Sequence, residues 1–258
     1  MLPCYARRLP SPLAVPLFGD RQRWGRTPPA ADPDWRAWEA CMTEVYEKSQ
    51  RQGLGRIVND AGYRILQSLD LDGRSVLEIG PGALAHTAFW RGRPARYVLV
   101  DRRACFLEQA SARLAALGVP VDRILSDGAS PVLPLPDASV DVVLAFYCLE
   151  HLWPLTGHLA ELKRILRPGG LLAGAIPSEG GLAWGLGRLL TTARTARRDY
   201  GIDLGKVICW EHPNFADQII EALDAGFHLR QLSLWPLRLP SPDVNLVIKF
   251  IAERPAEA

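Results

Sequence analysis

Between residues 75 and 177 the sequence alternates short aliphatic runs with longer segments of helical spacing, and this alternation constrains the fold more than any other feature. SVLEI (75–79), RYVLV (96–100), DRILS (122–126), DVVLAFY (141–147) and LLAGAIP (171–177) read as strands. Helices are expected around Ala85–Trp90, over Ala104–Leu117 and over Leu155–Leu166. The last is expected to stop at RPGG, where Gly169 or Gly170 can take a positive φ. Parallel neighbours can be joined only by a crossover, so strand and helix in strict turn predict an α/β chain with a parallel sheet wound by helices.

The flanks carry other patterns. Residues 1–34 hold seven prolines and little apolar periodicity, and read as an extended proline-rich arm. From there Trp35, Trp38, Met42 and Tyr46 recur at three- and four-residue intervals, and Ile57, Ala61, Ile65 and Leu66 follow a glycine-containing break. Residues 35–72 are therefore expected to form an N-terminal helical cap. A main domain follows over 73–258, interrupted at about 178–214 by an insertion rich in glycine, arginine and tryptophan. FADQIIEALDAGF predicts a final helix, and HLRQLSLWPL and NLVIKFIAE predict two more strands.

Bulk properties exclude some classes. The 258 residues are 48% hydrophobic, and 30 basic against 28 acidic side chains leave a formal charge of +2. No basic stripe interleaved with aromatics is present, so a nucleic-acid partner is not expected. The five cysteines form no CxxC pair, which argues against a zinc ribbon or a disulfide framework. Four prolines interrupt the first twenty residues, and no apolar run reaches the length of a membrane span. A cytoplasmic protein without a membrane span is the expectation.

The first strand runs into Gly80, Pro81 and Gly82, and in an open α/β sheet that loop lies at the carboxyl edge where ligands bind. GPGALA also satisfies the dinucleotide pattern GxGxxA, with Asp101 placed 21 residues after Gly80 as a ribose acid. Two features count against a nicotinamide cofactor. The chain has no Tyr-x-x-x-Lys pair, and Glu78 puts a carboxylate inside an apolar strand, where it needs hydrogen-bond donors or a solvated cleft.

VLEIGPG, YVLVD, SDGASPVLPLPDASVDVVLAFYCLEHL and ELKRILRPGGLLAGAIP, in that order over about residues 74–177, resemble the class I S-adenosylmethionine-dependent methyltransferases, in particular the small-molecule branch called type 11. The resemblance implies a Rossmann-like, doubly wound, seven-stranded sheet with its last strand antiparallel, here with N-terminal helices and an inserted lid after the fifth strand. It implies S-adenosyl-L-methionine as methyl donor and a small-molecule acceptor. By the family's pattern Glu78, Gly80 and Gly82 face the methionine and ribose, and Asp101 takes the ribose hydroxyls. Asp127 takes the adenine amine with Gly128 beside the ring, while Phe146 and Tyr147 wall the sulfonium. Leu84 stands where the family often has a third glycine. Some quinone-pathway relatives hold a metal with an acid three residues before an EH pair; Tyr147 occupies that place, so no metal is carried over.

Each residue has a plainer alternative. Gly80 and Gly82 could make only a tight turn, Asp101 could cap the next helix, and Phe146 and Tyr147 could be core. An oxygen or nitrogen acceptor must lose a proton, which makes His151 and His212 candidate general bases. His151 could equally be structural, and His212 with Glu211 and Asn214 could cap the following helix. The segment Glu179–Lys206 has five cations, Arg188, Arg194, Arg197, Arg198 and Lys206, against Glu179, Asp199 and Asp203. As a lid it would favour an anionic acceptor; otherwise it is a solvated helix face. A methyltransferase-like subunit or sensor that binds the cofactor without catalysis carries the same motifs.

Overall fold

The computed structural model describes residues 2–50 and 53–256, without the side chains of 43–50 and 54. The side chain of Tyr46 and the break at Arg51 and Gln52 thus lie outside the described residues. Helices α1 (Ser11–Phe18), α2 (Arg21–Trp24), α3 (Pro33–Gln50) and α4 (Gly53–Tyr63) come first. The alternating region follows as β1 (Ser75–Ile79), β2 (Arg96–Asp101), α5 (Ala104–Ala116), β3 (Val121–Leu125), β4 (Val140–Phe146), α6 (Leu155–Ile165) and β5 (Leu166–Pro177). Then come α7 (Leu182–Leu190), α8 (Thr192–Tyr200), α9 (Leu204–Glu211), α10 (Ala216–Gly226), β6 (His228–Trp235) and β7 (Val247–Glu253).

The strands form one seven-stranded sheet of order β3-β2-β1-β4-β5-β7-β6. β1 pairs in parallel with β2 and β4, β2 with β3, and β4 with β5. β7 runs the other way: the Gly169 amide donates to the Arg254 carbonyl at 3.0 Å, and the Ser178 amide to the Leu246 carbonyl at 2.9 Å. RPGG is therefore not a helix stop. α6 ends at Ile165, and the glycines open β5, where Gly170 also accepts from the Arg254 amide at 2.9 Å.

Two further expectations change. Residues 85–90 make only a 3-10 turn, Thr87–Phe89, because His86 and Trp90 turn inward to a buried carboxylate. The proline-rich arm contains α1, with Pro12 in its first turn, where a missing N–H costs nothing. Leu17 and Phe18 at the end of α1 are buried and hold the helix down.

The chain divides into two compact units. The sheet unit comprises 62–176, 221–233 and 249–258. Its central strands are buried on both faces, as parallel strands must be, with Val76, Leu77, Val143 and Leu144 fully enclosed. Each such side chain contributes about 1.5–3 kcal/mol. The helical unit comprises 1–61, 177–220 and 234–248. In its core Trp35 and Trp38 of α3 pack with Ile208, Cys209 and Trp210 of α9, and the Trp35 and Trp210 rings meet edge to face at 6.1 Å. Lys206 binds Asp32 at 2.6 Å and Asp34 at 2.7 Å, tying α9 to the start of α3. α3 and the insertion thus share one core, while the end of α1 belongs to a smaller cluster with Leu189 and Phe215.

Candidate functional site

In the sheet unit the register sets Ile79 beside Val100 and Ala145, and Asp101 beside Leu125. The loops leaving β1 to β4 therefore emerge from one carboxyl edge. β1 lies between β2 and β4, the switch point where open α/β sheets bind ligands.

Gly80 has φ +66, and its amide donates to the Val100 carbonyl at 2.8 Å. A Cβ there would lie 2.8 Å from the Cys148 sulfur, so only glycine fits. Leu84 is also left-handed, at φ +51, and is fully buried. The backbone at the family's glycine position thus keeps the glycine conformation without the glycine.

Asp101 ends β2 and is buried. Its Oδ1 accepts from the Arg103 amide at 2.9 Å. Burial raises its pKa, opposed by the amides of Arg103, Gly82 and Arg102. The residue at the N-cap of α5 is Arg103, so Asp101 braces the turn before that helix rather than capping it.

Glu78 is almost wholly enclosed. Its Oε2 accepts from the Tyr97 hydroxyl at 2.5 Å, and its Oε1 lies 2.8 Å from His86 Nε2. The indole N–H of Trp90 donates to His86 Nδ1 at 3.0 Å. Indole is a donor only, so His86 accepts at Nδ1 and donates from Nε2 to Glu78. The donors that a carboxylate inside an apolar strand requires come from these two side chains. Burial, then the neighbouring Glu78 charge, push the Tyr97 hydroxyl well above its ordinary pKa.

Phe146 is buried against Tyr63 and His86, with ring centroids at 5.2 and 5.0 Å. Tyr147 is partly open, has φ +52, and donates its amide to the Ala175 carbonyl at 2.7 Å. Beyond β3, Asp127 and Gly128 are exposed. Asp127 Oδ1 accepts from the Ala129 amide at 2.9 Å, and Gly128 has φ +74 with open space where a Cβ would stand. Glu78, Gly80, Gly82, Asp101, Asp127, Gly128, Phe146 and Tyr147 all belong to this carboxyl end of the sheet unit.

The two candidate bases lie in different units. His151 sits in the turn after β4, its amide donating to the Cys148 carbonyl at 3.0 Å and its Nε2 3.9 Å from Glu150 Oε1. His212 follows α9 in the helical unit, with Nδ1 2.8 Å from Glu179 Oε2. Glu179 is fully buried, gripped at both oxygens by Arg188 (2.8 and 2.6 Å) and at Oε2 by the Trp184 indole at 3.0 Å. Burial pushes its pKa up, but Arg188, His212 and Arg21 outweigh burial and hold it well below the usual carboxylate range. An ionised Glu179 only accepts, so His212 carries a proton on Nδ1.

Sequence reasoning missed His86, Trp90 and Tyr97 as partners of Glu78, and the Glu179 hub. The four-residue spacing of His86 and Trp90 is a faint signal for the first. For the second there is no local signal, since Arg188 stands nine residues and His212 thirty-three residues from Glu179.

Residues 77–174 match the family model described as a methyltransferase domain. The chain is 38% identical over 108 residues to a "Probable S-adenosylmethionine-dependent methyltransferase" of Mycolicibacterium smegmatis, covering 41% of this chain and 39% of that one. It is 32% identical over 173 residues to the malonyl-(acyl-carrier protein) O-methyltransferase of Pectobacterium atrosepticum, covering 60% and 65%. The chain thus spans less than two thirds of the length of these relatives. Among solved structures it resembles a SAM dependent methyltransferase from Aquifex aeolicus, at TM-score 0.55 and 18% identity over 82% of this chain and 97% of that one. It also resembles the (4+2)-cyclase SpnF, at TM-score 0.52 and 18% identity over 78% and 81%. Residues 77–174 thus carry a methyltransferase domain, and in these relatives and in its sheet order with the antiparallel β7 the chain is similar to the class I S-adenosylmethionine-dependent methyltransferases.

Proposed function

We propose that the chain transfers a methyl group from S-adenosylmethionine to a small-molecule acceptor. The observation that carries this reading is the buried carboxylate of Asp101 at the end of β2, the strand paired with β1, whose glycine turn leaves the sheet at its switch point. The residues present suit the cofactor. Asp101 is a buried carboxylate at a strand end, able to accept two ribose hydroxyls in charge-assisted bonds. Asp127 is exposed to take the adenine amine, and Gly128 leaves room for the ring. Gly80 and Gly82 shape the methionine-side loop, and Glu78 braces it from below through Tyr97 and His86. Phe146 and Tyr147 form the wall near the transferred methyl.

When bound, the cofactor supplies an electrophilic methyl on its sulfonium. The protein's part is to align acceptor and methyl and to exclude water. No metal enters the proposed chemistry.

The acceptor in this reading is an anionic carboxylate, a proposal supported by the malonyl group in the name of the Pectobacterium relative. The insertion's charge lends little support. Of its five cations, Arg188 is held by Glu179, Arg198 by Asp199 and Lys206 by Asp32 and Asp34. An ionised carboxylate has no proton to lose, whereas a hydroxyl or amine needs a base such as His151 or His212.

A second reading, cofactor binding with no methyl transfer or with another reaction, is favoured by the likeness to a structure titled a (4+2)-cyclase. Incubation with methyl-labelled S-adenosylmethionine and a panel of small carboxylic acids separates the two. Transfer of label to an acid supports methylation. Tight S-adenosylhomocysteine binding with no label transferred to acids or to any extract component removes it.

A further inference from the structure

The net charge is small, yet the surface of the helical unit is not evenly charged. Helix α7 has three faces. Gly185 and Leu189 pack on α1, where a Cβ on Gly185 would lie 2.8 Å from the Phe18 ring. Trp184 and Arg188 turn to Glu179. The third face, Leu182, Leu186 and Leu190 at intervals of four, is exposed, Leu190 by 60%. In the same unit α1, which packs on α7 through Phe18, exposes Leu13 by 57%, and the loop after β6 exposes Leu237 and Leu239.

These segments are fastened together within the unit. Asp243 accepts the amides of Tyr5 at 2.9 Å, Ala6 at 3.1 Å and Leu182 at 3.2 Å, joining the N-terminal segment to the start of α7. Two residues on, Asn245 Oδ1 accepts the Leu237 amide at 2.9 Å and the Arg238 amide at 3.2 Å. The exposed leucines are thus carried on anchored backbone.

The charge around them leans to one sign, since the acids at the segment ends, Asp20, Asp199 and Asp243, each accept hydrogen bonds within the unit. Residues 5–19, 180–198 and 236–241 contain seven arginines and no aspartate or glutamate. Arg7 is paired with Asp217, Arg188 with Glu179 and Arg198 with Asp199. Arg8, Arg194, Arg197 and Arg238 are exposed on the same three segments.

We propose that this face of the helical unit docks on the surface of an anionic lipid bilayer, with the leucines entering the headgroup boundary and the arginines meeting lipid phosphates. Exposed leucines with an excess of cations on the same segments are the pattern of an interfacial anchor, and negative headgroups supply countercharge for Arg8, Arg194, Arg197 and Arg238. A second copy of the chain fits this surface poorly, since a two-fold contact would set arginines against arginines. Among the described residues no helix is long and apolar enough to cross a membrane, so this is attachment to the surface. The proposal is independent of the methyl-transfer reading.

The test is co-sedimentation of the full chain with phosphatidylcholine vesicles, with and without one-third phosphatidylglycerol, at low and high salt. Binding is expected only to the anionic vesicles and should weaken as salt rises. The double variants Arg194→Glu with Arg197→Glu, and Leu186→Ser with Leu190→Ser, should each lower partitioning about tenfold or more. Leu237→Ser with Leu239→Ser tests the separate loop and should weaken partitioning too. The far-ultraviolet circular dichroism spectrum and Tm of all three should match those of the parent, which shows that the fold is intact. Three results would overturn the proposal: no binding to anionic vesicles at low salt; binding that all three variants leave intact; or a dimer in sedimentation velocity that Leu186→Ser with Leu190→Ser abolishes, with no vesicle binding.

Discussion

Leu84 holds a left-handed backbone and a fully buried side chain at the same position. The left-handed conformation costs about 1–2 kcal/mol for a residue with a Cβ. Removing a buried leucine costs about 2–5 kcal/mol. Leu84→Gly is therefore expected to lose roughly 0–4 kcal/mol in urea denaturation, and a variant more stable than the parent would show that strain outweighs packing. Asp101 allows a pH test of its proposed role. Its pKa is raised by burial, and only the ionised carboxylate offers both oxygens as acceptors. S-adenosylhomocysteine affinity should fall on acidification, starting above the ordinary aspartate range. Calorimetry of Asp101→Asn should give weaker binding without that dependence, whereas an unaltered pH profile would remove Asp101 from the ribose site. The glycines, Asp101 and Asp127 were legible in the sequence because turn chemistry and strand ends are local. The Glu78 to His86 to Trp90 chain was not, because the inward turn of His86 follows from the demand of a buried carboxylate for a donor.

Strands were readable to within a few residues because their apolar runs match the burial of a parallel sheet, as in SVLEI and DVVLAF. The segment after the glycine turn misled because Ala85–Trp90 has helical letters, whereas His86 turns inward to Glu78 and Trp90 follows it. RPGG misled because its glycines serve the pairing of β5 with β7, a contact spanning more than eighty residues. In the helical unit α7 depends on Arg188 matching the buried Glu179. Arg188→Met leaves that charge poorly compensated and is expected to cost about 3–5 kcal/mol near neutral pH. The sign of the pH effect follows from the depressed pKa of Glu179. Its contribution is complete above the ordinary glutamate range and is lost as pH falls through the lowered folded value. Thermal unfolding of parent and variant should therefore converge in acid, and a gap that persists undiminished would assign the loss to packing instead. Tyr97→Phe, which takes one donor from Glu78, is expected to cost about 1–3 kcal/mol.

Across the whole chain, the sheet unit and the helical unit are each built from three separated segments, so neither is a contiguous stretch of sequence. Binding of S-adenosylhomocysteine at about one hundred times its Kd should stabilise the folded state by about 2.7 kcal/mol, read as a rise in Tm by differential scanning fluorimetry. His151→Asn and His212→Asn address the acceptor. With an ionised carboxylate, kcat should change less than about tenfold in either variant, whereas a hydroxyl or amine acceptor predicts a loss of about 10²–10⁴-fold in the one that is the base. By itself the sequence determined the α/β alternation, the glycine turn and the acids at the strand ends, because hydrophobic period and turn chemistry act over a few residues. Only the tertiary structure decided that the insertion packs with the tryptophan helix in one cluster and with the proline-rich arm in another. It alone set the partners of Glu78 and Glu179, because a buried carboxylate is stable only where distant donors and cations are desolvated with it.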